Sequence, residues 1–256
     1  MVIPESRKCF HEMLPSSSHL PQSDASIGGK TAINSYQGKN LIGTFYQPDF
    51  VLIDISLLNS LPRREIICGY GEILKHSLIS NKKFFLWLSK NAKKIINNKD
   101  KNLLKIAIMK SCKIKSKIVS RDEKEINLRM ILNFGHTFAH GFEGAKNFSK
   151  KLNHGEAVLL GMMTASQLSY QKNLLSLEDL TLIKKHYLNL NLPMKFEKIF
   201  KKQEINKIIH FMKKDKKNLN EKINLILLKK IGKTTKPNSL ALDSDEIKKF
   251  LVSNYC

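Results

Sequence analysis

The chain has 256 residues, is 42% hydrophobic and carries 44 Lys and Arg against 22 Asp and Glu, a formal charge of +22. That length can bury a real core in one large domain or two small ones. No run interleaves basic residues with aromatics as single-strand binders do, and no apolar run approaches a membrane span, so neither nucleic acid nor a membrane is the expected partner. Lys, Asn and Ile recur throughout, which reads as a compositional bias. Cys9, Cys68, Cys112 and Cys256 form no C-x-x-C pair and suit a reducing compartment. With no apolar signal-peptide core at the N-terminus, a cytoplasmic location is expected.

In chain order, residues 1–23 show no clear period. Asp24 to Thr31 holds a glycine pair followed by Lys30 and Thr31 without P-loop spacing. It is either a plain turn or a close backbone approach to an anion that Lys30 neutralises. Gly38-Lys39-Asn40 reads as a second turn, and Phe50 to Asp54 as a short buried strand. Leu61-Pro-Arg-Arg-Glu65 starts a helix with proline in its first turn, and the pattern stays helical to about residue 212. Glu72, Lys75 and His76 share a helix face, which would ordinarily be a solvated, salt-bridged one. Residues 81–97 and 101–120 are amphipathic and lysine-rich, and Arg121 to Glu125 is a polar loop. Glu156 to Tyr170 is apolar on most sides and reads as a central buried helix with methionine as core filler. Ser176 with Asp179 starts another helix, which Leu192-Pro193 ends. In the tail, Met212 to Lys217 is strongly basic, Ile223 to Leu228 reads as a strand, and Ile231-Gly232 as its turn. Asp243 or Ser244 caps a last helix to about Val252. The fold expected is mainly α.

The chemistry concentrates in Asn133 to Glu156. His136 and His140 are four apart and share one helix face, and His154 and Glu156 open the next apolar segment. Such a cluster reads as a metal or proton-transfer site rather than as satisfied core histidines. Glu72, His136 and His154 together supply one carboxylate and two imidazoles, the ligand set of a catalytic zinc with an open position. Lys75, Lys115, Arg129, Asn133 and Lys216 could surround a carboxylate or phosphate, and His140 could move protons.

Seven segments, in order, carry a family resemblance: D-A-S-I-G-G-K-T (24–31), G-K-N-L-I-G-T-F-Y-Q-P (38–48), L-P-R-R-E (61–65), G-Y-G-E-I-L-K-H (69–76), R-D-E-K-E (121–125), L-N-F-G-H-T-F-A-H (132–140) and H-G-E-A-V (154–158). The chain resembles 3-dehydroquinate synthase, a sugar-phosphate cyclase of the shikimate pathway and aromatic amino-acid biosynthesis. The resemblance implies NAD- and metal-dependent conversion of 3-deoxy-arabino-heptulosonate 7-phosphate to 3-dehydroquinate and phosphate, with zinc or cobalt as the metal and a homodimer as the assembly. It implies Glu72, His136 and His154 as metal ligands. Asp24, Lys30, Asn40, Lys75, Lys115, Glu125, Arg129, Asn133, His140 and Lys216 would form the substrate pocket. Ser17, Ser18 and Ser60 would lie near NAD, and Lys39 between cofactor and substrate. The family's glycine-rich G-G-G-x-x-x-D turn is absent. Residues 1–57 are therefore read as the remnant of an α/β, Rossmann-like NAD-binding domain, and 58–256 as an all-helical metal- and substrate-binding domain. The alternatives are a different sugar-phosphate cyclase, a non-catalytic remnant and a basic nucleic-acid binder.

Overall fold

A computed structural model describes residues 27–35, 38–214 and 222–255. Pro62 holds extended backbone, and helix α1 (Arg63–Ser80) follows it at once. From Ile66 to Ile79 α1 is buried on every side, so it is the axis of the fold. Asn81 and Asp100 each accept a backbone N–H three residues on and cap α2 (Lys82–Asn97) and α3 (Lys101–Val119). Both helices bury one stripe and turn their lysines outward, Lys115 of α3 excepted; α2 buries Phe84, Phe85, Leu88, Ala92, Ile95 and Ile96.

Helix α4 (His136–Ala145) packs on α5 (His154–Gln171), which is buried along most of its length, Met162 and Met163 included. The side chain of Ser176 caps α6 (Leu177–Leu190), and Asn191, in left-handed backbone at φ 53°, ends it just before Leu192-Pro193. Helix α7 (Ile205–Lys213) lies against α4 and α8 (Ser244–Ser253), which follows Asp243. Around α1 sit α2, α3 and α5, and their apolar faces form one continuous core. Among the described residues no helix is long and apolar enough to cross a membrane.

Among the described residues the strands form three two-stranded antiparallel sheets: β1 (Lys30–Ser35) with β2 (Gly38–Phe45), β3 (Lys222–Asn224) with β6 (Ala241–Asp243), and β4 (Leu228–Lys230) with β5 (Lys233–Thr234). Three local expectations are corrected. Gly38, Lys39 and Asn40 open β2 instead of turning, because Ser35 already pairs with Gly38. Phe50 to Asp54 is neither strand nor buried, with Phe50 63% and Leu52 77% exposed. A strand needs a hydrogen-bonding neighbour, and no described strand pairs with this run; Asp54 instead accepts from the Ser56 amide and opens the 3-10 turn Ile55–Ser60. Ile223 to Leu228 is not one strand, since the chain changes partner between β3 and β4.

His186 on α6 ties the core helices together. Its Nε2 lies 2.8 Å from the Tyr70 hydroxyl and its Nδ1 3.1 Å from Ser89 Oγ. Burial pushes this imidazole down to about 4. The unfolded chain, with an ordinary imidazole near pH ~6.5, binds a proton that the folded chain refuses between those values. His186 therefore leaves stability intact above the unfolded value and lowers it as pH falls. On acidification from pH 7 to pH 4.5 the chain is expected to lose on the order of 2–3 kcal/mol through His186. Urea unfolding of the chain and of His186→Gln at both pH values checks this; an equal pH response in the two overturns it.

Candidate functional site

Arg64, Cys68 and Glu72 recur every fourth residue along α1 and so form one stripe. Each meets the start of α5. Arg64 donates to both Glu156 oxygens, at 2.7 and 2.6 Å, and to the Lys150 carbonyl at 3.0 Å. Asn153 and Glu156 close a capping box over the first turn of α5. The Cys68 thiol donates to Asn153 Oδ1 at 3.0 Å. A Cβ on Gly155 would sit 2.4 Å from Cys68 Cα, so only glycine lets the two helices meet there. Glu156 is thus a capping and docking residue, and His154, the first residue of α5, is held beside Glu72.

Helix α4 docks on the middle of α5 in the same manner. Gly135 has φ 81°, and a Cβ there would lie 2.7 Å from the Met162 nitrogen; a Cβ on Gly161 would lie 2.2 Å from the Gly135 carbonyl oxygen. His136 follows Gly135 directly. Its Nε2 is 3.8 Å from Glu72 Oε1, and its ring centroid is 5.6 Å from that of His154. One donor atom each from Glu72, His136 and His154 all lie within 4.8 Å of one another. A tetrahedral ion with ~2.1 Å bonds would place its ligand atoms about 3.4 Å apart, so modest closure of these side chains accommodates it.

Glu72, Lys75 and His76 are buried, not solvated. The Lys75 ammonium donates to Glu72 Oε2, which leaves Oε1 facing His136. Burial, then the charges of Lys75, His154 and His140, hold the His136 imidazole well below its usual range. It is therefore neutral near pH ~7, the form that ligates metals. His140, one turn along α4, is exposed, with its ring 6.1 Å from that of His136.

A second group lies in the loop before α4. Burial would raise the Asp122 carboxyl, but amides of Arg129, Ile126 and Asn127 donate to it and hold it below the usual range. Glu125 sits in left-handed backbone at φ 56°, a conformation costly for a side chain with Cβ and concentrated at functional sites. Its Oε1 accepts from Asn133 Nδ2 at 2.7 Å and its Oε2 from the Lys30 ammonium. Buried Arg129 donates to the carbonyls of Glu123 and, at 2.7 Å, Gly28, with Phe45 stacked 5.7 Å away. A Cβ on Gly28 would fall 2.3 Å from Arg129 Nη2. Gly28 serves a close approach, but the group that approaches is an arginine and not the anion expected from the sequence.

Lys115 is buried on α3, which packs on the turn Leu128–Asn133. Ser60 is exposed at the end of its 3-10 turn, three residues before α1, while Lys39 and Asn40 stand on β2. Asp24, Ser17, Ser18 and Lys216 lie outside the described residues. One residue was not singled out from sequence: Glu143 on α4, whose Oε2 is 3.1 Å from His154 Nδ1. Its only sequence signal is spacing, seven residues after His136 on the same helix face.

Residues 69–218 match the family model for the 3-dehydroquinate synthase C-terminal region, and residues 11–68 that for the N-terminal region. The chain belongs to the 3-dehydroquinate synthase family. It is 56% identical to the 3-dehydroquinate synthase of Pelagibacter ubique (strain HTCC1062) over 213 residues, 83% of this chain and 58% of that protein. It is 43% identical to that of Zymomonas mobilis over 248 residues, 96% of this chain and 64% of the relative. The chain thus spans about three-fifths of the length of these synthases. Among solved structures, 2-deoxy-scyllo-inosose synthase complexed with carbaglucose-6-phosphate, NAD+ and Co2+ superposes with a TM-score of 0.72 at 27% identity, covering 93% of this chain and 64% of that one. The fold is shared with ValA, a 2-epi-5-epi-valiolone synthase from Streptomyces hygroscopicus solved with NAD+ and Zn2+, at a TM-score of 0.79, 24% identity and the same coverage.

Proposed function

We propose that this chain carries the metal- and substrate-binding machinery of a 3-dehydroquinate synthase, which converts 3-deoxy-arabino-heptulosonate 7-phosphate to 3-dehydroquinate and phosphate. The observation that carries this reading is the convergence of Glu72, His136 and His154 from three helices, with the Lys75 ammonium against Glu72. One carboxylate, a neutral half-buried imidazole and a second imidazole fit zinc or cobalt. Bound there, such an ion would polarise a substrate hydroxyl or carbonyl, and NAD would supply the hydride acceptor and donor.

In this reading Lys75, Lys115, Lys30 and Lys216 neutralise the anionic substrate, and Arg129, Asn133, Asn40, Asp24 and Glu125 orient it. The Lys30–Glu125–Asn133 chain supports that role, because it joins β1, the 121–127 loop and the entry to α4. His140 moves protons at the exposed side of the cluster. Lys39, Ser17, Ser18 and Ser60 belong to the NAD side. Residues 1–57 form part of the NAD-binding domain and 58–256 the helical domain. The protein acts in the cytoplasm as a homodimer, with a small sugar-acid phosphate as partner and neither nucleic acid nor membrane. The likeness to 2-deoxy-scyllo-inosose synthase favours a second reading, in which the chain closes a different sugar phosphate.

The experiment is phosphate release from the heptulosonate phosphate with added NAD and Co2+. Release that needs both, with 3-dehydroquinate as product, is expected, and Lys75→Ala should lower it by at least a hundredfold, the loss typical of an electrostatic contact to the reacting centre. A different carbocycle would favour the second reading, and no release would overturn both.

A further inference from the structure

We propose that Glu143 is a positioning residue that sets the tautomer and orientation of the His154 imidazole, so that metal binding by Glu72, His136 and His154 depends on it. This rests on the metal reading of the cluster. It follows from comparing how the three candidate ligands are held.

Each of them has one polar atom engaged by a neighbour outside the trio. Glu72 Oε2 accepts from Lys75. His136 Nδ1 lies 3.4 Å from the Phe134 carbonyl, a neighbour on its own chain segment. His154 Nδ1 lies 3.1 Å from Glu143 Oε2. For Glu72 and His136 the other donor atom, Oε1 and Nε2, faces the partner ligand at 3.8 Å. Packing sets the first two side chains as well, since Glu72 and His136 are 10% and 16% exposed. The His154 side chain is 50% exposed. Packing alone orients it least of the three, and the Glu143 carboxylate is the polar group that meets its Nδ1.

Glu143 is built for that task. Its side chain is 5% exposed, and a carboxylate is buried at a large desolvation cost unless polar partners meet it. It projects from the same face of α4 as His136 and His140. When His154 donates its Nδ1 proton to this carboxylate, the lone pair lies on Nε2, and the adjacent negative charge makes that nitrogen a stronger donor to a cation. Glutamine in place of Glu143 keeps the volume and a carbonyl oxygen but loses the charge. Its amide group can also donate, which admits the opposite histidine tautomer.

The test uses the full chain and Co2+ alone. Competition with a chromophoric chelator gives the Co2+ affinity of the wild type, Glu143→Gln and Glu72→Ala. Long-range nitrogen NMR of the metal-free wild type and Glu143→Gln gives the His154 tautomer, its signal assigned by its loss in His154→Ala. The expected result is affinity about 10- to 100-fold weaker in Glu143→Gln, an altered visible Co2+ spectrum, and His154 shifted from the Nδ1–H form in the wild type toward a mixture. Wild-type affinity in Glu143→Gln, or weakened affinity with the tautomer unchanged, overturns the inference while leaving the metal reading in place. A wild type that binds Co2+ no better than Glu72→Ala sinks the metal reading, and this inference with it. Should Glu143→Gln not fold, Glu143→Asp, which withdraws the carboxylate by one methylene, is read by the same two measurements.

Discussion

Glu72→Ala should abolish stoichiometric zinc or cobalt binding and also destabilise the metal-free chain, by about 3 kcal/mol. The first effect is the loss of one of the three ligands proposed for the site. The second comes from Lys75, whose side chain is 3% exposed and whose ammonium donates to Glu72 Oε2. Breaking a buried ion pair by removing one partner costs roughly 3–5 kcal/mol, because the remaining charge keeps its desolvation penalty. The lower end applies, because Lys75 has further contacts. The double variant Glu72→Ala/Lys75→Met separates the two effects. It removes the stranded ammonium, so it should regain most of the stability and none of the metal. Metal content after dialysis, with urea unfolding of the metal-free proteins, reads both. Unchanged metal content in Glu72→Ala would remove Glu72 from the ligand set. Equal stability of the single and double variants would remove the Lys75 argument.

What could be read ahead of the structure was whatever local chemistry encodes. Helices α2 and α3 announce themselves through one-sided apolar spacing and through Asn81 and Asp100 at their starts. Helix α5 does so through the absence of any polar side. The convergence of Glu72, His136 and His154 was legible only as a set of suitable donors. What brings them together is contact between glycines and backbone, at Gly155 on Cys68 and Gly161 on Gly135, and no periodicity reports such contacts. The misreadings share this cause. Phe50 to Asp54 and Ile223 to Leu228 are apolar and β-prone, but whether such a run is a strand depends on a partner elsewhere in the chain. Glu143 was passed over because its meaning lies across the helix pair, at His154. The lysine-rich faces of α2 and α3 were legible as solvated surface, but the burial of Lys75 and Lys115 among so many lysines was not.

The same glycine contacts give the second large effect. Gly161→Ala is expected to cost about 3 kcal/mol or more and to weaken metal binding at least tenfold, although residue 161 is no ligand. Its Cβ would lie 2.2 Å from the Gly135 oxygen and 3.0 Å from the Ala139 nitrogen, both backbone atoms that cannot rotate aside. Helix α4 must then move off α5. Overpacking of this kind costs about 1–3 kcal/mol even when side chains can absorb it. Displacement of α4 carries His136 with it, because His136 is the next residue after Gly135, and it widens the 3.8 Å approach of His136 to Glu72. Gly135→Ala should be as harmful by another route, combining left-handed backbone, which costs a residue with Cβ about 1–2 kcal/mol, with a Cβ 2.7 Å from the Met162 nitrogen. Gly71→Ala is the control. Its Cβ would press on the Leu159 side chain, at 3.2 Å, and lie at an ordinary 3.6 Å from the Gly155 oxygen, and alanine's helix propensity, worth up to about 1 kcal/mol over glycine, offsets that crowding. Near-wild-type stability and Co2+ affinity are expected there. If Gly161→Ala unfolds within 1 kcal/mol of the wild type and binds Co2+ equally well, close backbone approach is not what sets the geometry of this cluster.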